Sequence, residues 1–210
     1  MIVLTGSERS FSSGFDLNAL DSPDLPPSTL IAQLDSFVSV MRSIQKPLIA
    51  AVSGTCLGGG CELAMMCDMV VCTTSTRFGL PETKLNLIPG AGGIVLLLQL
   101  IGPGRATSLL MTGQEWSGKQ AENWGMAFRC LGGYDDMMNE AIALAKAIAR
   151  NGQTSTGILK RLIGTAIELG RKEASSLQRE AFGVLLAGRR EGVVAAHLKT
   201  KQIDQEIEDI

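Results

Sequence analysis

The chain has 210 residues, 45% of them hydrophobic and 4% aromatic, with a formal net charge of −2. That length and composition suit one α/β domain with a core of Leu, Ile, Val, Ala and Met, and a smaller appended part. Basic residues are scattered and the longest strongly apolar run, residues 94–98, is too short to cross a bilayer, so neither a nucleic-acid nor a membrane partner is expected.

Residues 2–4 form a short apolar run stopped by Thr5-Gly6, which predicts a buried strand. The stretch SERSFSSGFD then reads as a loop, with Gly14 permitting a sharp turn and Asp16 placed to cap a brief helix over 17–20. Residues 21–27 are a turn-rich connector. Helical spacing of Leu30, Ile31, Leu34, Phe37, Val38 and Met41 predicts a helix over 28–44, stopped before Pro47. Strands are expected at 48–52 and 68–73, with a short helix over 59–67 between them. From Gly93 onward helices are expected at 94–101, 103–111 and 117–124, then a strand at 127–131. The last third, from about Asp135, reads as three or four amphipathic helices with breaks near Gly152, Gly170 and Arg189-Arg190. The expected division is a core over 1–134 and a helical region over 135–210.

Cys56, Cys61, Cys67, Cys72 and Cys130 lie in apolar surroundings without C-x-x-C spacing, and the sole histidine, His197, is distant. They read as buried thiols of a reducing compartment rather than a metal site. The N-terminus, MIVLTGSERS, has no basic segment leading into a long apolar stretch, so no signal peptide is expected and the chain reads as soluble and cytoplasmic.

Residues 50–93 carry the chemistry. Glu62 stands in the apolar run CELAMM directly after three glycines, where a carboxylate is costly unless paired or used. Glu82 comes twenty residues later beside Pro81. An amide at Gly59, at the positive end of a helix, could face a ligand oxygen without a side chain in the way. The turn SSGFD offers a second exposed amide, that of Phe15. Two such donors aimed at one carbonyl form an oxyanion hole, and two carboxylates near one water can take and deliver protons. The spacing equally allows a structural alternative, with Glu82 favouring a helix dipole and Glu62 ion-paired in the core.

Five segments, VLTGSERSFSSGFDL (3–17), KPLIAAVSGTCLGGGCELAMMCDMVV (46–71), FGLPETKLNLIPGAGG (78–93), LLMTGQEWSGKQAENWGM (109–126) and AFGVLLAGRREGVVAAHLKTK (181–201), resemble the enoyl-CoA hydratase/isomerase (crotonase) superfamily. The resemblance spans essentially the whole chain. It implies a crotonase spiral of ββα turns with a helical C-terminal trimerisation region, assembled as a homotrimer or a dimer of trimers. Residue by residue, it places the catalytic acids at Glu62 and Glu82 and the oxyanion amides at Phe15 and Gly59. Ser13, Gly14, Asp16, Leu17, Gly58, Pro81 and Gly90 are further candidates for contact with substrate. The implied reaction is syn addition of water to a trans-2-enoyl-CoA, with coenzyme A part of the substrate and no metal or separate cofactor. A 3,2-enoyl-CoA isomerase, which needs one carboxylate, is the nearest rival, with other crotonase-family acyl-CoA reactions as further alternatives.

The sequence departs from the family in two places. Family members usually carry an opening segment before the VLTG strand, so the chain reads as N-terminally shortened, which motivates a non-catalytic acyl-CoA-binding subunit as another alternative. Phe15 also stands where small residues are common. Gly102-Pro103-Gly104 reads as a helix boundary and Gly90-Ala91-Gly92-Gly93 as a helix start close to the site. Trp116 and Trp124 are expected to pack a small helix. Phe182 reads either as core or, by the resemblance, as a cover over a neighbouring subunit's acyl chain. Arg189 and Arg190 read as solvated, as paired with Glu191 or as placed near a coenzyme's phosphates, and Lys199 and Lys201 are weaker candidates for that last role.

Overall fold

A computed structural model describes residues 1–20, 26–169 and 171–188. Gly170, Arg189, Arg190, His197, Lys199, Lys201 and most of the 21–27 connector lie outside the described residues.

Among the described residues, eight strands form two four-stranded sheets. The first sheet holds β1 (Ile2–Thr5), β3 (Leu48–Val52), β5 (Met69–Thr73) and β8 (Arg129–Leu131) in the order β1-β3-β5-β8, all parallel. The second holds β2 (Ser10–Ser12), β4 (Thr55–Leu57), β6 (Arg77–Gly79) and β7 (Glu115–Ser117) in the order β2-β4-β6-β7, with only β7 antiparallel. The chain steps from the first sheet to the second three times, at β1–β2, β3–β4 and β5–β6, and each step advances one strand in both sheets. Two short helices, α1 (Leu17–Leu20) and α3 (Gly59–Met65), come after the ends of this second sheet's strands.

β3 is buried along its whole length, as a central parallel strand should be. Leu48, Ala50 and Val52 face a core that also takes Cys56, Phe78, Leu80, Leu97 and Trp116, so this core lies between the sheets. Ile49 and Ala51, with Val71, pack instead on Met137 and Ala141 of α7 (Tyr134–Ala149). At the corners between sheets, buried hydroxyls satisfy the backbone. Ser53 Oγ donates to Glu8 O at 2.6 Å, and Thr76 Oγ1 donates to Val52 O at 2.8 Å.

Helix α2 (Pro27–Ser43) begins with proline in the first turn and ends before Pro47. Helices α4 (Gly93–Ile101) and α5 (Pro103–Thr112) break at Gly102, where φ is +80°. The 117–124 segment differs from expectation: Trp116 and Ser117 belong to β7, and Ser117 caps α6 (Gly118–Asn123) through a capping box with Gln120. Trp116 stacks on Phe78 with ring centroids 6.1 Å apart, whereas Trp124 lies under the Arg105 guanidinium.

The chain divides into two compact units, Met1–Lys160 and Arg161–Ile210. The first therefore extends past residue 134, because α7 covers the outer face of the first sheet. Helices α8 (Gln153–Glu168) and α9 (Arg171–Ala187) complete the described chain. Phe182 on α9 is 64% exposed, so it is not the core residue that one reading of the sequence expects. No described helix is long and apolar enough to cross a membrane.

Candidate active site

The site is built at the ends of β2, β4 and β6, the three parallel strands of the second sheet. β2 leads into the Ser13–Phe15 loop, β4 into Gly58 and α3, and β6 into a 3-10 helix over Pro81–Leu85 that carries Glu82. Because the strands are in parallel register, the loops at their ends emerge side by side.

The first two loops meet backbone to backbone. Gly14 has φ +94°, and a Cβ there would lie 2.9 Å from both Gly59 N and Leu57 O. Only glycine fits that conformation and approach. A Cβ on Gly59 would stand 3.9 Å from Phe15 N, so the two amides named from sequence are neighbours. Among the described residues, neither the Phe15 nor the Gly59 N–H donates a hydrogen bond. Both remain available at the start of α3, where the helix dipole favours negative charge.

Glu62 lies in the first turn of α3 and is 3% exposed. Its Oε1 accepts from Ala91 N and Gly93 N, each at 2.8 Å. Those donors belong to the PGAGG turn at the start of α4, and a Cβ on Gly93 would come within 2.8 Å of the same oxygen. No cation pairs with Glu62 among the described residues, so the ion-paired core alternative does not describe it.

Glu82 has a different environment. Its Oε2 is buried without a hydrogen-bond partner among the described residues. Its Oε1 lies 3.4 Å from where a Cβ on Gly58 would be, which sets it beside the Gly58–Gly59 turn. Burial pushes the Glu82 carboxyl above the usual carboxylate range; its own backbone N–H opposes this, and the negative charge of Glu62 adds to it. The Glu82 carboxyl therefore senses the charge of Glu62. Glu82 also stands in the first turn of the 3-10 helix, so it occupies the helix-start position of the structural alternative while its Oε1 lies beside the Gly58–Gly59 turn.

The other candidates fall around this centre. Pro81 opens the 3-10 turn, and Ser13 O lies 3.9 Å from the Gly58 Cβ position. Gly90 touches Leu34 of α2, its Cβ position being 3.1 Å from Leu34 Cδ1. Asp16 Oδ1 accepts from Asn18 N at 3.0 Å and so caps α1, while Leu17 is exposed. Sequence reasoning placed the PGAGG turn near the site but did not assign Ala91 and Gly93 as the donors to Glu62. Nor did it single out Leu34. The signal for the donors is the second glycine cluster itself, since a buried carboxylate needs bare amides.

An arrangement of this kind can hold a carbonyl oxygen on two main-chain donors and exchange protons through two carboxylates at the same place. The model of the enoyl-CoA hydratase/isomerase family matches residues 1–203, and the chain belongs to that family. It is 36% identical over 184 residues to a probable mitochondrial enoyl-CoA hydratase of Dictyostelium discoideum, covering 86% of this chain and 65% of that protein. It is likewise 36% identical over 202 residues to a probable enoyl-CoA hydratase of Rhizobium meliloti, covering 95% of this chain and 78% of the relative. The solved structure of an enoyl-CoA hydratase from Bacillus anthracis superposes with a TM-score of 0.88 at 28% identity, over 95% of this chain and 78% of that one. The spiral of ββα turns is thus the crotonase fold.

Proposed function

We propose that the chain is an enoyl-CoA hydratase that adds water to a trans-2-enoyl-CoA and gives the 3-hydroxyacyl-CoA, in fatty-acid or related acyl-CoA metabolism. The observation that carries this reading is the difference between two adjoining carboxylates beside two unused amides. In this mechanism the thioester oxygen sits between Phe15 N–H and Gly59 N–H. Each donor of this kind is typically worth roughly 10²–10³ in rate once negative charge develops on the oxygen.

Glu62, fixed by its two amide donors, orients a water and takes its proton as the oxygen attacks C3. Electron density moves to the thioester oxygen, giving an enolate held by the two amides. Glu82, whose raised proton affinity suits an acid, delivers a proton to C2. Passage of the new proton from Glu62 to Glu82 restores the starting state. Coenzyme A arrives with the substrate, and the reaction so drawn uses no metal or separate cofactor.

The same reading makes the protein a homotrimer or a dimer of trimers. Exposed apolar side chains on the C-terminal helices support it: Leu159, Ile163 and Ile167 recur at four-residue spacing along α8, and Phe182 and Leu186 along α9. Buried free thiols suit a reducing compartment such as the cytoplasm.

The test is loss of the conjugated-thioester absorbance of crotonyl-CoA on mixing with the purified chain. Steady turnover to 3-hydroxybutyryl-CoA is expected. Tight binding without turnover would sink the catalytic reading and leave an acyl-CoA-binding subunit.

A further inference from the structure

We propose that Ser12 is a positioning residue for the two main-chain donors, a role that rests on the proposed hydratase reading. Three observations converge on it. The Ser12 hydroxyl accepts from Gly14 N at 3.2 Å, which engages the amide immediately before that of Phe15, while the Phe15 N–H donates no hydrogen bond among the described residues. Ser12 also packs where Gly60 has no side chain. A Cβ on Gly60 would fall 2.6 Å from Ser12 Cβ, 2.6 Å from Ser12 O and 2.7 Å from Ser12 Oγ. Finally, β2 shifts register against β4 between Ser10 and Ser12: Ser10 pairs with Thr55 and Ser12 with Cys56, so two steps on β2 meet one on β4.

A bulge of this kind bends a strand and re-aims the residues beyond it. Here it sets Ser12 against the first turn of α3, the turn that presents Gly59. One side chain thus touches both halves of the cradle: its hydroxyl fixes the loop carrying Phe15, and its body rests on the helix carrying Gly59. Without the hydroxyl, Gly14 N–H is released and the loop gains freedom at its φ +94° hinge. The donor pair is then less preorganised, and preorganisation is what makes such donors effective when charge develops.

Ser12→Ala tests this. Loss of one neutral hydrogen bond should lower kcat for crotonyl-CoA by about 2- to 10-fold, with KM and Tm close to wild type. The absorbance of a bound cinnamoyl-type conjugated thioester reports carbonyl polarisation directly, and its red shift should be smaller in the variant. Ser12→Cys, which keeps a weak acceptor, should fall between the two. An unchanged kcat and red shift in Ser12→Ala would overturn the role, as would a lowered Tm with an unchanged red shift, which would mean mere packing. Wild-type turnover separately tests the hydratase reading, because the red shift requires only binding. A wild-type chain that neither hydrates nor binds the thioester removes both.

Discussion

The two turns that carry glutamate solve the problem of a buried carboxylate in opposite ways. Glu62 is locked: it grows from a helix, is almost wholly covered, and receives two amide hydrogen bonds on one oxygen. Glu82 is poised: it grows from a 3-10 turn, keeps one buried oxygen without a partner, and holds its proton more tightly than a free carboxylate. A purely structural acid is satisfied by its surroundings, whereas an acid meant to pass a proton must leave an oxygen free for it. The contrast between them, more than the mere presence of two acids, is what separates a water-adding site from a buried ion network.

The largest break in this contrast is removal of either charge. Glu62→Gln and Glu82→Gln should each lower kcat for hydration by about 10²–10⁴, the usual worth of general acid–base groups. Steady-state hydration of crotonyl-CoA measures it. If one replacement is nearly silent while double-bond migration in a 3-enoyl-CoA proceeds, one carboxylate suffices and the isomerase reading takes over.

A subtler break leaves both acids in place and unlocks only one. In Gly93→Ala the new methyl would stand 2.8 Å from Glu62 Oε1 and 2.9 Å from its Cγ, so Glu62 must move off its two donors. Hydration should fall by about 10²-fold, in line with the sensitivity of catalysis to small misplacements, while the Glu82 turn is untouched. A Gly93→Ala enzyme with wild-type kcat would show that the lock has no part in the chemistry.

Much of this architecture is legible in the chain, and the part that is not has a physical cause. β1, β3 and β5 read as strands because they are short runs rich in apolar residues, and β3 matched its expected bounds of 48–52. The whole second sheet escaped. Its strands are three residues each, SFS, TCL, RFG and EWS, too short to establish a period of two. They are strands because the first sheet delivers them side by side, a tertiary cause absent from local sequence. Yet that sheet positions the site. The acids and glycines could be named from GGGCE, LPE and PGAGG, but the pairing of Glu62 with Ala91 and Gly93 links positions 29 and 31 residues apart and becomes visible only in the fold.

The pH dependence of stability sharpens the contrast further. The folded state raises the proton affinity of Glu82, so it binds more protons than the unfolded chain just above the ordinary carboxylate range. Stability contributed by this group is present at low pH and is lost as pH rises from the unfolded value through the higher folded value. Glu82→Gln removes that loss. The variant should therefore melt at or above wild type at pH 7 while being nearly inactive, and its advantage should shrink toward pH 4. A variant less stable than wild type at pH 7 would mean that the Glu82 carboxylate is held by favourable contacts after all.

The smallest effect on activity, and the cleanest control, lies at a third carboxylate. Asp68 Oδ2 accepts from Leu48 N at 2.7 Å and pairs with Lys160 Nζ at 2.8 Å, and the same Nζ donates to Lys46 O at 3.0 Å. Every polar atom in this cluster that the contacts involve has a partner, and none of those partners belongs to the amide cradle. This is what a satisfied structural acid looks like in the same fold. Lys160→Met keeps much of the stem but strips Asp68 of its cation and Lys46 O of its donor. The partly covered pair should cost about 1–3 kcal/mol on removal, read as a Tm lowered by several degrees. kcat for crotonyl-CoA should stay within about twofold of wild type, since no group of the cradle is touched. A large loss of turnover without a loss of Tm would place Asp68 among the acids that matter to chemistry and dissolve the distinction between locked, poised and merely structural carboxylates.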